Sequence, residues 1–157
     1  MKRLCLLGLP LMLSLLFFPV RAWAAAPTSC NGVSLDFVGT IFDDTAGNGT
    51  SNPWSAAGWD GNDTLSGGSG QDNICGNDSG IYGDALFGGP GGDYLNGGAG
   101  SNDYLRGDDG NDLGHGGTGN DQVEGNNGAD TLYGDDGNDT VKGQGNDDGS
   151  APGLVDS

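Results

Sequence analysis

One string recurs every nine residues from Gly58 to Lys142: glycine, glycine, any, glycine, any, aspartate, any, apolar, any. A nonapeptide is too short to bury an apolar face alone, so a chain built this way must stack its units and bury one continuous core between neighbours. The copies read GWDGNDTLS from Gly58, with Trp59 at the second glycine position, then GGSGQDNIC from Gly67. After an insertion of Gly76, Asn77 and Asp78 come SGIYGDALF, GGPGGDYLN and GGAGSNDYLR, the last with one extra residue ahead of Asp103. GDDGNDLGH, GGTGNDQVE, GNNGADTLY and GDDGNDTVK complete nine copies. A further unit from Gly143 keeps Asp148 in register but has Asn146 for glycine and Ser150 at the apolar position, so the pattern fades.

Position six supplies a carboxylate in each unit: Asp63, Asp72, Asp84, Asp93, Asp103, Asp112, Asp121, Asp130, Asp139 and, in the fading unit, Asp148. Position eight is Leu65, Ile74, Leu86, Leu95, Leu105, Val123, Leu132 or Val141, with Gly114 the exception, which suits a very short strand turning one side chain inward. Glycines open backbone conformations closed to other residues, so carbonyls can approach an ion, as near Gly67, Gly68, Gly70, Gly88, Gly89, Gly91, Gly116, Gly117 and Gly119. Carboxylates interleaved with free carbonyls are the donor set of a hard cation such as calcium, which takes about 6–8 oxygens in flexible geometry. Asp60, Asp108, Asp109, Asp135 and Asp136, at positions two and three, read as solvated turn residues that could add ligands.

The repeat resembles the RTX (repeats-in-toxin) calcium-binding nonapeptide family over about 85 residues, more than half the chain. The resemblance implies an all-β fold, a right-handed parallel β-roll with two repeats per turn and several calcium ions between stacked glycine-rich turns. Each aspartate would then pair with the next but one: Asp63 with Asp84, Asp72 with Asp93, Asp84 with Asp103, and so on to Asp130 with Asp148. That makes eight sites, of which those spanning Asp103 to Asp139, evenly spaced by nine, should bind best.

The first residues have another purpose. Lys2 and Arg3, an apolar stretch from Leu4 to Val20 and Ala22-Trp23-Ala24 read as a cleaved secretory signal over residues 1–24. Cleavage would leave Arg106 and Lys142 against 22 acids, 21 of them aspartate, a charge near −20. Such a chain repels nucleic acid and anionic bilayers and attracts cations. The expected location is extracellular or periplasmic, with calcium the partner, cell surface or matrix a further one, and no membrane span in the mature chain. Residues 25–57 are expected to form an N-terminal cap with one or two short strands around Val33 to Phe42 and a loop through Asn52; the roll spans 58–148 and a short tail 149–157. Export permits Cys30 and Cys75 to pair, against two free thiols as the alternative.

No catalytic constellation is present. His115 is the sole histidine, neither G-x-S-x-G nor H-E-x-x-H occurs, and Gly114, Gly116 and Gly119 spell G-x-G-x-x-G only because the repeat generates it. Asp109 to Gly114 starts like an EF-hand but lacks the glutamate at position twelve. The expectation is a non-enzymatic structural, adhesive or surface module. The alternatives are a disordered, cation-sequestering or mineral-interacting polyanion, or a companion of an RTX toxin or secreted hydrolase.

Overall fold

The computed structural model describes residues 29–39, 42, 44–79, 81, 83–100, 102–143 and 154–156; residues 1–24, expected to be a secretory signal, and Asp148 lie outside this set. Every described strand after the first two pairs in parallel with the next but one. One sheet stacks β4 (Thr45–Thr50), β6 (Thr64–Gly68), β8 (Ala85–Pro90), β10 (Tyr104–Asp109), β12 (Gln122–Asn127) and β14 (Thr140–Lys142). The other stacks β3 (Phe37–Val38), β5 (Ser55–Ala57), β7 (Asn73–Ser79), β9 (Tyr94–Ala99), β11 (Leu113–Gly119), β13 (Thr131–Gly137) and β15 (Leu154–Asp156). Two repeats therefore make one turn of a parallel β-solenoid, a β-roll. Its core is one side chain per repeat, Leu65, Ile74, Leu86, Leu95, Leu105, Val123 and Leu132, extended by Ala56 at the N-terminal end.

The strands are longer than one inward residue requires. Each begins at position seven and most run to position three of the next repeat, with the buried-and-half-buried alternation of β8, β9, β10 and β12 placing two residues inward, the apolar one and the position-one glycine. At Gly114, where the apolar residue is missing, an added Cβ would lie 3.0 Å from Val123 Cγ1 and 3.1 Å from Leu132 Cδ2. Neighbouring side chains thus fill the gap. The insertion after Cys75 is absorbed as a register shift between Cys75 and Asp78, after which β7 and β9 resume pairing.

Two expectations are corrected. The stretch read as a loop through Asn52 contains β4, because Thr45 to Gly47 pairs with Thr64 to Ser66 and Ala46 packs on the core. The C-terminal tail contributes β15, whose Leu154 stands in register with Leu132.

At the N-terminal end, β1 (Ser29–Cys30) and β2 (Val33–Ser34) form an antiparallel hairpin. Phe37 and Trp54 close the core beside it, with ring centroids 6.2 Å apart. Cys30 is joined to Cys75 by a disulfide, with Cα atoms 5.8 Å apart and a sequence separation of 45. Closing so long a loop restricts the unfolded chain, so Cys30→Ser should destabilise the protein by about 2–4 kcal/mol. Thiol titration of the denatured, unreduced protein should find neither cysteine free.

Candidate functional site

The position-six aspartates form two interior columns, one beside each sheet. In each column a backbone N–H donates to Oδ1 of the aspartate one turn ahead: Asp63 to Asp84 at 2.8 Å, Asp72 to Asp93 at 2.8 Å and Asp84 to Asp103 at 2.7 Å. The ladders continue from Asp93 to Asp112, Asp103 to Asp121, Asp112 to Asp130 and Asp121 to Asp139. These are the pairs expected from the resemblance, including the four that cross insertions, Asp63–Asp84, Asp72–Asp93, Asp84–Asp103 and Asp93–Asp112; Asp148 and its pairing with Asp130 fall outside the described residues. The carbonyls of the aspartates from Asp63 to Asp121 also accept from the next turn, as Asp93 does from the Leu113 N–H at 2.8 Å.

The second carboxylate oxygen is in a different position. Oδ2 of Asp63, Asp72, Asp84, Asp93, Asp103, Asp112, Asp121, Asp130 and Asp139 is buried without a hydrogen-bond partner. Asp93, Asp103 and Asp121 are each only 2% exposed. Burial is the main cause that pushes the Asp93 and Asp103 carboxyls up to about 6 and Asp112 up to about 7, with the neighbouring turn's carboxylate adding to the shift; Asp72 and Asp121 are raised for the same reason.

Position-one glycine makes room for this oxygen. A Cβ at Gly67, Gly88 or Gly116 would strike Oδ2 of Asp72, Asp93 or Asp121. At Gly116 it would stand 2.6 Å from Asp121 Oδ2 and 2.6 Å from the Gly134 carbonyl oxygen, so a carboxylate and a carbonyl from successive turns face one gap. The Gly116 carbonyl faces Gly97 and Asp103 Oδ2 in the same way. Gly68, Gly89 and Gly117 at position two, and Gly70 and Gly119 at position four, have positive φ, whereas Gly91 is held by a bridge to Gly70. At position two, Asp108, Asn126 and Asp135 also adopt left-handed backbone, at φ 78°, 72° and 66°. Their short side chains tolerate it.

Two members of the columns escaped the sequence reading. The Asp44 N–H donates to Asp63 Oδ1 at 2.7 Å and the Trp54 N–H to Asp72 Oδ1 at 2.7 Å, so the ladders begin before Gly58. The signal was there for Asp44, since Asp44-Thr45-Ala46 repeats Asp63-Thr64-Leu65. His115, at position nine, stacks on Tyr133 with ring centroids 4.6 Å apart and its Nδ1 lies 3.0 Å from Asp135 Oδ2, on the outer face.

Among the described residues no three His, Cys, Asp or Glu side chains converge as a metal-ligand group. What the columns offer is one orphaned carboxylate oxygen per repeat beside main-chain carbonyls. That donor set fits calcium, which accepts backbone oxygens and variable geometry, better than a metal needing imidazole or thiolate. Architecture and donor set together define a parallel β-roll with buried, stacked aspartate columns. The sequence matches the RTX calcium-binding nonapeptide repeat in four copies, over residues 57–80, 78–114, 87–123 and 115–149. These matches cover more than half of the chain, which belongs to that family and carries its calcium-binding repeats. No curated protein and no solved structure matches the chain at a significant level of similarity. Among the described residues no helix is long and apolar enough to cross a membrane.

The raised carboxyls set the sign of a pH effect. Asp93, Asp103 and Asp112 have folded values of about 6, 6 and 7 against 3.8 unperturbed, so the calcium-free roll binds more protons than the unfolded chain between these limits. Their contribution to its stability is therefore full below 3.8 and lost as pH rises through about 6–7. In chelator, acidification from pH 7.5 to pH 5 should increase the β signal in circular dichroism, whereas the calcium concentration needed for folding should rise because protons compete for the same oxygens.

Proposed function

We propose that the chain is a secreted, non-enzymatic module that folds on binding several calcium ions and then serves as a rigid structural, adhesive or surface element. The observation that supports this reading is the row of buried Oδ2 atoms without partners. A buried carboxylate whose second oxygen has no hydrogen bond is costly, and a row of such oxygens in one small roll calls for a counter-charge. Asp63, Asp72, Asp84, Asp93, Asp103, Asp112, Asp121, Asp130, Asp139 and Asp148 would hold the ions, with carbonyls of the position-one glycines. Calcium, when bound, supplies positive charge and accepts these hard oxygens. The protein's own part is to fix the carboxylates through their Oδ1 ladder and to keep the neighbouring space free of side chains.

The charge argument agrees with export. A mature chain near −20 would remain expanded where calcium is scarce and compact where it is abundant. Calorimetric calcium titration tests the assignment of the sites. Asp121→Ala removes an orphaned oxygen and also the acceptor of the Asp103 N–H at 2.8 Å, leaving a buried donor that costs about 1–3 kcal/mol. Its calcium stoichiometry should fall. Asp136→Ala, at an exposed position near the end of β13, should bind as the parent does; equal losses in both variants would show that the ions are not held by the interior columns.

A further inference from the structure

Along one corner of the sheet that contains β7, β9 and β11, position five runs Gln71, Gly92, Asn111. Most other repeats carry an amide there, as at Asn62, Asn102, Asn120 and Asn138, so Gly92 leaves a notch between the amides of its two neighbours. A Cβ at Gly92 would lie 3.2 Å from the Asn111 carbonyl oxygen and 3.7 Å from Gln71 Nε2, so a side chain there would crowd the floor of the notch. The notch opens into a cavity of about 390 Å³ walled by Tyr94 and Leu113 and rimmed by Asn31. That size falls within the ~300–1,000 Å³ of small-ligand sites.

The wall is held in place. Tyr94 is half-buried, its hydroxyl accepts from Asn96 Nδ2 at 3.0 Å and its ring centroid is 6.2 Å from that of His115. The rim is fixed too, because Asn31 follows Cys30, which the disulfide binds to Cys75, and the Asn31 amide reaches Asn73 Oδ1 at 3.5 Å. Asn111 Oδ1 accepts from the Ala129 N–H at 2.9 Å, which orients the amide and leaves its NH₂ to donate. Gln71 has no hydrogen-bond partner among the described residues.

No lysine or arginine lines the cavity, so it offers nothing to an anion. Asp72 and Asp93 beneath it are 1% and 2% exposed and belong to the aspartate column. What remains is a row of neutral amides, able both to donate and to accept, beside the apolar faces of a tyrosine and a leucine. Sugar hydroxyls match the first and the C–H face of a pyranose ring the second. From this we infer that the notch at Gly92 is a binding site for a neutral saccharide, presented by the folded roll and hence dependent on the calcium reading above.

The test uses the full chain in calcium and the methyl glycosides of glucose, galactose, mannose and N-acetylglucosamine as probes. At least one should perturb the NMR signals of the Tyr94 ring and the Asn111 side-chain amide. Gly92→Asn restores the amide of other repeats, and Tyr94→Ala places at position seven the residue already tolerated at Ala85. Each should weaken the response by about tenfold or more while calcium-dependent circular dichroism is unchanged. No perturbation by any probe, or one that survives both variants, would overturn the site. Because the dichroism is recorded on the same samples, failure of the roll to form is read separately; if Tyr94→Ala does not fold, Gly92→Asn decides.

Discussion

In chelator at neutral pH the chain should show no β signature in circular dichroism, and millimolar calcium should restore it in one cooperative transition. The core is one aliphatic side chain per repeat, from Leu65 to Leu132, with glycine at Gly114. Nine carboxylate oxygens lie inside the same roll without partners. Burying carboxylate charge costs several kcal/mol per group, and the thin core cannot offset a row of such groups. Ion binding to sites absent from the unfolded chain adds directly to folding free energy, so the folded and loaded states should appear together. A β spectrum already complete in chelator and unchanged by calcium would refute this coupling.

Gly116→Ala should be severely destabilising, and Gly47→Ala nearly silent. Both glycines lie in strands and neither has positive φ, so the difference is one of space alone. At Gly116 the new methyl would meet Asp121 Oδ2 and the Gly134 carbonyl at 2.6 Å each, and one of those oxygens is main chain and cannot swing away. At Gly47 its nearest neighbours are Ser66 O at 3.5 Å and Ser66 Cβ at 3.6 Å, ordinary contacts. Overpacking of this kind costs about 1–3 kcal/mol or more, which for a domain of this size lowers Tm by roughly 5–20 °C. Thermal melts in saturating calcium would check it. A Gly116→Ala melt that matches Gly47→Ala would mean that position one is glycine for some reason other than room for the carboxylate.

That contrast also marks what the sequence could reveal. The nine-residue period and the inward Leu65-to-Leu132 row were legible because they depend only on spacing and polarity, whereas the next-but-one pairing of aspartates followed from the resemblance to the RTX family. The reason for each glycine was not. Gly68 and Gly116 look alike in the string, yet one is demanded by φ and the other by the volume of a neighbouring carboxylate, a distinction that exists only once turns are stacked. Asp44 was passed over because Thr40 to Asp43 contains no glycine, although the residues after it follow the repeat. Nor could spacing tell Oδ1, engaged in the ladder, from Oδ2, left alone. β4 was hidden because Gly47, Asn48 and Gly49 have poor strand propensity, and its pairing partner lies a full turn away.

The alternation of the two sheets gives the roll a parity. Successive repeats belong to opposite faces, and in its regular part each hydrogen-bonded partner lies eighteen residues away, from Asp103–Asp121 to Asp121–Asp139. Deleting one nonapeptide between Glu124 and Lys142 would leave the aspartate columns in register yet exchange the two outer faces for everything downstream, moving Lys142 away from the side of Glu124. Deleting two would shorten the roll and leave both faces as they were. The unit in which such a protein can change length without changing what it displays is therefore the octadecapeptide, even though the unit written in its sequence is half of that.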